Sequence, residues 1–158
     1  MPATARKANG KARRFRSEEF VPYVMRRVTE RLSKSLAEAL KPFDQTPNAW
    51  RVLVALVDRD GASISQLAEL TIIDQSTLSR TIDRMEEQRL VKRTAGGPDA
   101  RVVTVSLTEA GQRAFDEILP VASAQYEWAV RNVPARNMDI VRSTLRQMLD
   151  NLRFSPIK

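Results

Sequence analysis

The chain has 158 residues, 26 Lys and Arg against 19 Asp and Glu, a net charge of +7, and neither cysteine nor histidine. That length suits one domain with a substantial core or a small dimer-forming protein. The two missing residue types exclude disulfides, thiolate chemistry, zinc–thiolate sites, nearly all transition-metal sites and every histidine-based triad.

No apolar run is long enough to span a bilayer, and no secretory signal is visible. A soluble, cytoplasmic protein with no metal, no cofactor and no membrane contact is expected. The charge is uneven. Residues 1–16 carry Arg6, Lys7, Lys11, Arg13, Arg14 and Arg16 with no acid, and the remainder holds 20 basic and 19 acidic residues. The basic segment lacks a hydrophobic period and reads as a flexible tail. It is either a solubilising extension or an arm that contacts phosphate.

Residues 17–158 read as a single domain. In "SEEFVPYVMRRVTERLSKSLAEALKPF", Val21, Val24, Met25, Val28, Leu32, Leu36 and Leu40 recur at three- and four-residue steps, which predicts one helix face. Pro22 is tolerable only near the helix start, and Pro42 closes the other end. In "TPNAWRVLVALVDRD", Thr46 can cap with Pro47 at the first helical position. Trp50, Leu53, Val54 and Val57 are expected to form its buried stripe, and Gly61 ends the unit. Ser63 and Gln66 form a capping box ahead of a short helix with Leu67, Ala68 and Leu70 inward. After a break at 71–73, Asp74 caps "QSTLSRTIDRME". Two short helices a few residues apart make a helix-turn-helix pattern.

A hairpin follows, with strands over Leu90–Thr94 and Val102–Leu107 joined by "AGGPDA". A hairpin directly after a helix-turn-helix is a wing. Thr108 caps a helix with Phe115, Ile118, Leu119 and Ala122 inward, and Pro120 predicts a kink or break there. Pro134 starts a last helix in which Met138, Val141, Leu145, Met148 and Leu152 step 3, 4, 3, 4. That is the narrow repeat of a helix–helix seam, suiting a dimer contact or packing within the domain. The fold class is therefore mainly α with a small β-hairpin wing, a winged helix-turn-helix at 46–108 flanked by long helices at 17–42 and 109–155.

The helix after Asp74 carries the chemistry. At 100° per residue, Leu78, Ile82 and Met85 fall within about 60° of each other. Ser76, Ser79, Arg80, Asp83 and Arg84 lie mostly opposite, with Thr77 and Thr81 on a flank. Hydroxyls are poor helix formers, but short polar side chains let a helix approach base edges and phosphates closely. Arg can contact guanine with two hydrogen bonds and Gln adenine. Gln75, Ser76, Thr77, Ser79, Arg80 and Arg84 are thus candidate DNA-binding residues.

Three stretches, "AWRVLVALVDRDGASISQLAEL", "IDQSTLSRTIDRMEEQRLVKR" and "DARVVTVSLTEAG", resemble the MarR family of multiple-antibiotic-resistance-type transcription regulators. The resemblance covers most of 17–153. It implies a homodimeric regulator of double-stranded DNA, usually a repressor, that binds pseudo-palindromic operators, with 17–42 and 109–155 as dimerisation helices and 46–108 as the winged helix-turn-helix DNA-binding lobe. Many members release DNA on binding a small aromatic or anionic effector. Carried over by position, Ser76, Thr77 and Arg80 meet the major groove, and Arg101 enters the minor groove from the wing with Asp99 orienting it. Two departures stand out. The family often has a second cation where this chain has Ala100, so the wing is expected to grip phosphate less strongly, leaving the basic tail to compensate. Removing residues 1–16 should then weaken operator affinity and flatten its salt dependence. The family also tends to place Gly where Arg89 stands. A left-handed Arg costs about 1 kcal/mol, so a different turn is expected.

For an effector such as a small aromatic acid or its thioester, Tyr23, Arg26, Arg27 and Trp50 are candidates. The arginines serve equally as surface charge and the aromatics as core. Without Cys and His, the family's thiol-oxidation and zinc sensors are no guide. Catalysis would fall to carboxylates or Lys, and the acids lie mostly beside Arg on helix exteriors. With no Gly-rich phosphate loop, no enzyme is expected. The alternative to a DNA reader is a winged-helix interaction module without sequence-specific reading.

Overall fold

The computed structural model describes residues 16–96 and 102–153. Capping chemistry sets most of the helix starts. Helix α1 spans Val21–Leu40 with Pro22 in its first turn, where a missing N–H costs nothing. A 3-10 turn, Lys41–Phe43, leads through a left-handed Asp44 into α2, Pro47–Asp58. There the Thr46 hydroxyl accepts from Ala49 N at 3.2 Å. Helix α3, Ile64–Thr71, starts on a complete capping box. Gln66 N donates to Ser63 Oγ at 3.2 Å, and Ser63 N donates to Gln66 Oε1 at 2.9 Å. Helix α4 spans Gln75–Glu87, α5 Glu109–Val130 and α6 Ala135–Arg153.

The wing is a sheet of three strands. β2 (Val91–Gly96) pairs antiparallel with β3 (Val102–Leu107), and a two-residue β1 (Ala62–Ser63) joins the other edge of β3. Sequence reasoning missed β1, which is too short to show a period. It also ended β2 early, since Ala95 and Gly96 belong to the strand. The turn tip, with Asp99, Ala100 and Arg101, lies outside the described residues, as do 1–15 and 154–158.

The core sits between α2, α3, α4 and the sheet. Leu53, Leu56, Leu67, Leu78, Ile82 and Val105 are fully buried, closed by Met85 and Val91. Burial of this kind stabilises by about 1.5–3 kcal/mol per large side chain. Two expected stripes are corrected. In α2 the buried set is Ala49, Trp50, Val52, Leu53 and Leu56, while Val54 and Val57 are exposed. "VLVALV" is apolar all round, so its period could not choose a face. In α3, Leu70 is exposed and Thr71 buried, because the Thr71 hydroxyl donates to Leu67 O at 2.6 Å. Helix α5 runs through Pro120 without a break. It joins the lobe where Phe115 stacks on Trp50, ring centroids 5.3 Å apart and planes 10° apart. Leu119, expected inward, is exposed.

The wing meets α5 at a tight corner. Thr108 Oγ1 accepts from Gly111 N at 3.0 Å and donates to Arg89 O at 2.6 Å. A Cβ on Gly111 would lie 2.0 Å from Leu90 O, so only glycine fits. Arg89 itself has φ 59°, so the expected change of turn does not occur. The corner takes the left-handed conformation with an arginine in it. No helix among the described residues is long and apolar enough to cross a membrane.

Candidate nucleic-acid interface

Leu78, Ile82 and Met85 anchor α4 in the core, as the wheel predicts. At the N-terminus, Asp74 Oδ1 accepts from Thr77 N at 2.8 Å and from Ser76 Oγ at 2.6 Å. The Ser76 hydroxyl, then the backbone and side chain of Thr77, hold the Asp74 carboxyl down at about 2. The cap therefore stays ionised at neutral pH, and the first turn keeps its shape.

The candidate residues separate by what they already do. Ser76 serves the cap. Thr77 lends its N–H to it. Thr81 Oγ1 donates back to Thr77 O at 2.8 Å. Arg80 Nε donates to Ser76 O at 3.3 Å, and its terminal nitrogens make no hydrogen bond among the described residues. Gln75 and Ser79 are exposed, and their side chains make no hydrogen bond among the described residues. The exposed ridge thus offers an amide, a hydroxyl and a guanidinium within two turns, a set suited to base edges and phosphates.

Ties on both flanks fix how this ridge is presented. From the wing, Arg93 Nη2 donates to Asp83 Oδ1 at 2.6 Å and Nη1 to Glu86 Oε2 at 2.7 Å. Arg93 N adds a 3.1 Å bond to Glu86 Oε1. The backbone and then the guanidinium of Arg93 lower the Glu86 pKa. Burial opposes the Arg93 charge, but the bonds to Asp83 and Glu86 outweigh it and its pKa rises. On the other flank, Arg84 Nη2 donates to Asp44 Oδ1 at 2.7 Å and Gln88 Nε2 to Asp44 Oδ2 at 2.9 Å. Gln45 Nε2 donates to Gln88 Oε1 at 3.0 Å. A cleft of about 270 Å³ opens there between α4 and the start of α2, with Asn48, Thr77, Arg80 and Arg84 on its walls. Sequence reasoning missed Arg93, Asp44 and Gln88. The partners of Asp44 lie 40 and 44 positions away, and no local period records such a pairing.

The four effector candidates do not share one cavity. Trp50 borders an open cleft of about 760 Å³ with Thr29, Arg51, Val54, Leu70 and Ile72. Arg26 lines a separate apolar groove of about 590 Å³ between α1 and α6, with Met25, Met148 and Leu152. Tyr23 and Arg27 face each other, the guanidinium carbon 5.7 Å from the ring centroid. Among the described residues no cluster of acids could hold a metal ion.

Comparison with known proteins bears on this geometry. A family model described as "MarR family" matches residues 43–102, from the end of the 3-10 turn to the start of β3. The HTH-type transcriptional repressor IacR of Pseudomonas putida is 28% identical over 138 residues, 87% of this chain and 83% of that protein. The crystal structure of a MarR family transcriptional regulator from Silicibacter pomeroyi superposes with a TM-score of 0.78 at 30% identity, covering 85% of this chain and 90% of that one. Bordetella bronchiseptica BpsR, described with regulation of its DNA binding by 6-hydroxynicotinic acid, superposes with a TM-score of 0.78 at 25% identity, covering 86% and 97%.

Proposed function

Because this chain belongs to the MarR family of winged-helix, DNA-binding transcription regulators, which are not enzymes, we propose that it acts as a homodimeric, sequence-specific repressor. In this reading α4 enters the major groove of each half of a pseudo-palindromic operator. Gln75, Ser79 and Arg80 meet bases or phosphates, Ser76 and Thr77 shape the first turn, and Arg84 lies one turn behind. Asp99 and Arg101 bring the wing to the minor groove. The observation that carries the reading is the exposed ridge of α4, opposite three fully seated apolar anchors and capped by an ionised Asp74. Apolar surface left open on α1, α5 and α6 supports a second copy as the dimer partner.

A small aromatic acid or its thioester is the proposed effector. The regulation of BpsR's DNA binding by 6-hydroxynicotinic acid supports the aromatic acid, and the cleft beside Trp50, with Arg51 for a carboxylate, is the proposed site. A ligand wedged there would press on Leu70 and Ile72, next to the α4 cap, and so disturb the reader.

Fluorescence anisotropy with the duplex upstream of the protein's own coding sequence tests the reading. A steep salt dependence is expected, and Arg80→Ala should lose sequence preference. Equal affinity for scrambled DNA would leave an interaction module instead. For the effector, a melting shift across aromatic acids should vanish in Arg51→Ala.

A further inference from the structure

The two ties on α4 have opposite polarity. On the wing side a cation, Arg93, comes to two acids of α4, so the acids that would repel a phosphate are neutralised within the fold. On the other side the polarity reverses. An acid, Asp44, comes to a cation of α4, so Arg84 is the charge held back. Arg80, one turn earlier on the same side, makes no salt bridge among the described residues, and its charge reaches the capping Asp74 only at longer range. The Asp44–Arg84 pair is exposed, 75% and 53% by side chain, so it adds little to stability. Yet it is held with care. Asp44 takes the left-handed conformation at φ 51°, which Asp and Asn tolerate better than most residues. Its second oxygen is engaged by Gln88, and Gln88 is in turn held by Gln45.

We propose that Asp44 is a specificity-setting residue of α4: it competes with backbone phosphate for Arg84, so that on this side of the helix arbitrary DNA meets Arg80 but not Arg84, and Arg84 is given up only where a matched groove seats the helix. The proposal rests on the reading of α4 as the groove-entering helix. A free Arg84 would reward every phosphate alike, raising non-specific affinity without adding sequence information. An acid beside it makes the phosphate contact conditional. Asp44 therefore lowers absolute affinity and raises the ratio of specific to non-specific binding.

The test uses the full chain, a duplex enriched by the wild-type protein from a random-sequence library, and a scrambled duplex of the same length. Asp44→Asn keeps the left-handed tolerance and a hydrogen-bond acceptor but removes the charge. It should bind the scrambled duplex several-fold more tightly, with a smaller gain on the enriched duplex, so the specificity ratio falls. The log–log salt slope should steepen by about 0.9, one phosphate's worth, which makes the gain shrink by roughly threefold between 50 and 200 mM salt. In an Arg84→Ala background the same substitution should lose most of its effect. An equal gain in both backgrounds would mean that Asp44 merely repels DNA, and would overturn the proposal. So would a parallel loss of both affinities with a lowered melting temperature, which would make Asp44 a folding residue. Failure of the wild-type protein to enrich any sequence would instead overturn the reading of α4, and the proposal with it.

Discussion

The middle of the chain and its two ends are both rich in apolar residues, yet they bury them very differently. Among the described residues, every buried large or aliphatic apolar side chain except Leu40 and Ile118 lies between positions 49 and 105. Helix α1 is 20 residues long and buries one side chain, and α6 is 19 residues long and buries none among those described. Phe20, Val21, Val28, Ile140, Leu149 and Leu152 all stand at least half exposed. The lobe closes on itself, with its helices capped and its anchors seated. The terminal helices have regular hydrophobic faces but nothing among the described residues to cover them. Apolar patches of that extent on a folded chain mark an interaction surface. If those faces meet a second copy, as proposed above, folding of this protein divides into an intramolecular part and a part that depends on concentration.

The sharpest way to break that comparison is to damage each region and compare the losses. Leu53→Ala in the lobe should cost about 2–5 kcal/mol, and Gly111→Ala about 3 kcal/mol, since its Cβ would press on a carbonyl that cannot move away. Urea denaturation reads both. If Leu152→Ala destabilised as much as Leu53→Ala, the contrast would be lost. Next in size is a double substitution on the seam, Met148→Glu with Leu152→Glu. It should dissociate the proposed dimer at micromolar concentration in sedimentation experiments and remove any concentration dependence of the melting temperature. The lobe's near-ultraviolet signature should stay, and its loss would show that α6 is needed for the lobe to fold.

A smaller effect comes from the lobe's own exception. Ile72 is 87% exposed and left-handed at φ 53°, a conformation that a β-branched residue resists. Ile72→Gly should stabilise the fold by about 0.5–1 kcal/mol in thermal unfolding, the relief of strain exceeding the entropy lost by glycine. A destabilised variant would mean that Ile72 has a contact worth more than its strain. The smallest effect is the pH dependence of the α4 cap. The Asp74 carboxyl is lowered from 3.8 to about 2 in the fold, so its stabilising contribution is complete above the ordinary carboxylate range. It fades as pH falls toward 2, where both states become protonated. Carboxyl carbon chemical shifts should give a midpoint well under 3.8, and an ordinary midpoint would remove the cap as a source of order.

Much of this was legible in the sequence because it is local. Thr46, Ser63, Asp74 and Thr108 each cap within three residues of themselves, and the Leu78, Ile82, Met85 spacing names a face directly. What was not legible falls into two kinds. One is ambiguity of period. In "VLVALV" every face is apolar, so the period points to Val54 and Val57 as readily as to Val52 and Leu56, the pair that the lobe buries. The other is distance along the chain. The Arg93 and Asp44 ties join residues that carry no mutual signal, and β1 is a strand only because β3 passes beside it. The candidate site was legible as a row of exposed side chains on α4, and illegible as the electrostatic setting in which that row is held.

The chain's two tryptophans sit on opposite sides of the division drawn above. Trp50 is buried against Phe115 where α2 meets α5, while Trp128 is exposed on α5 with the Arg131 guanidinium 3.6 Å from its ring centroid. The protein therefore carries two intrinsic fluorophores that answer different questions. Iodide should quench Trp128 and spare Trp50, and self-association should shield the first while leaving the second unchanged. A ligand entering the cleft beside Trp50 should do the reverse. Assembly and effector binding could then be followed separately in one cuvette, with no label attached.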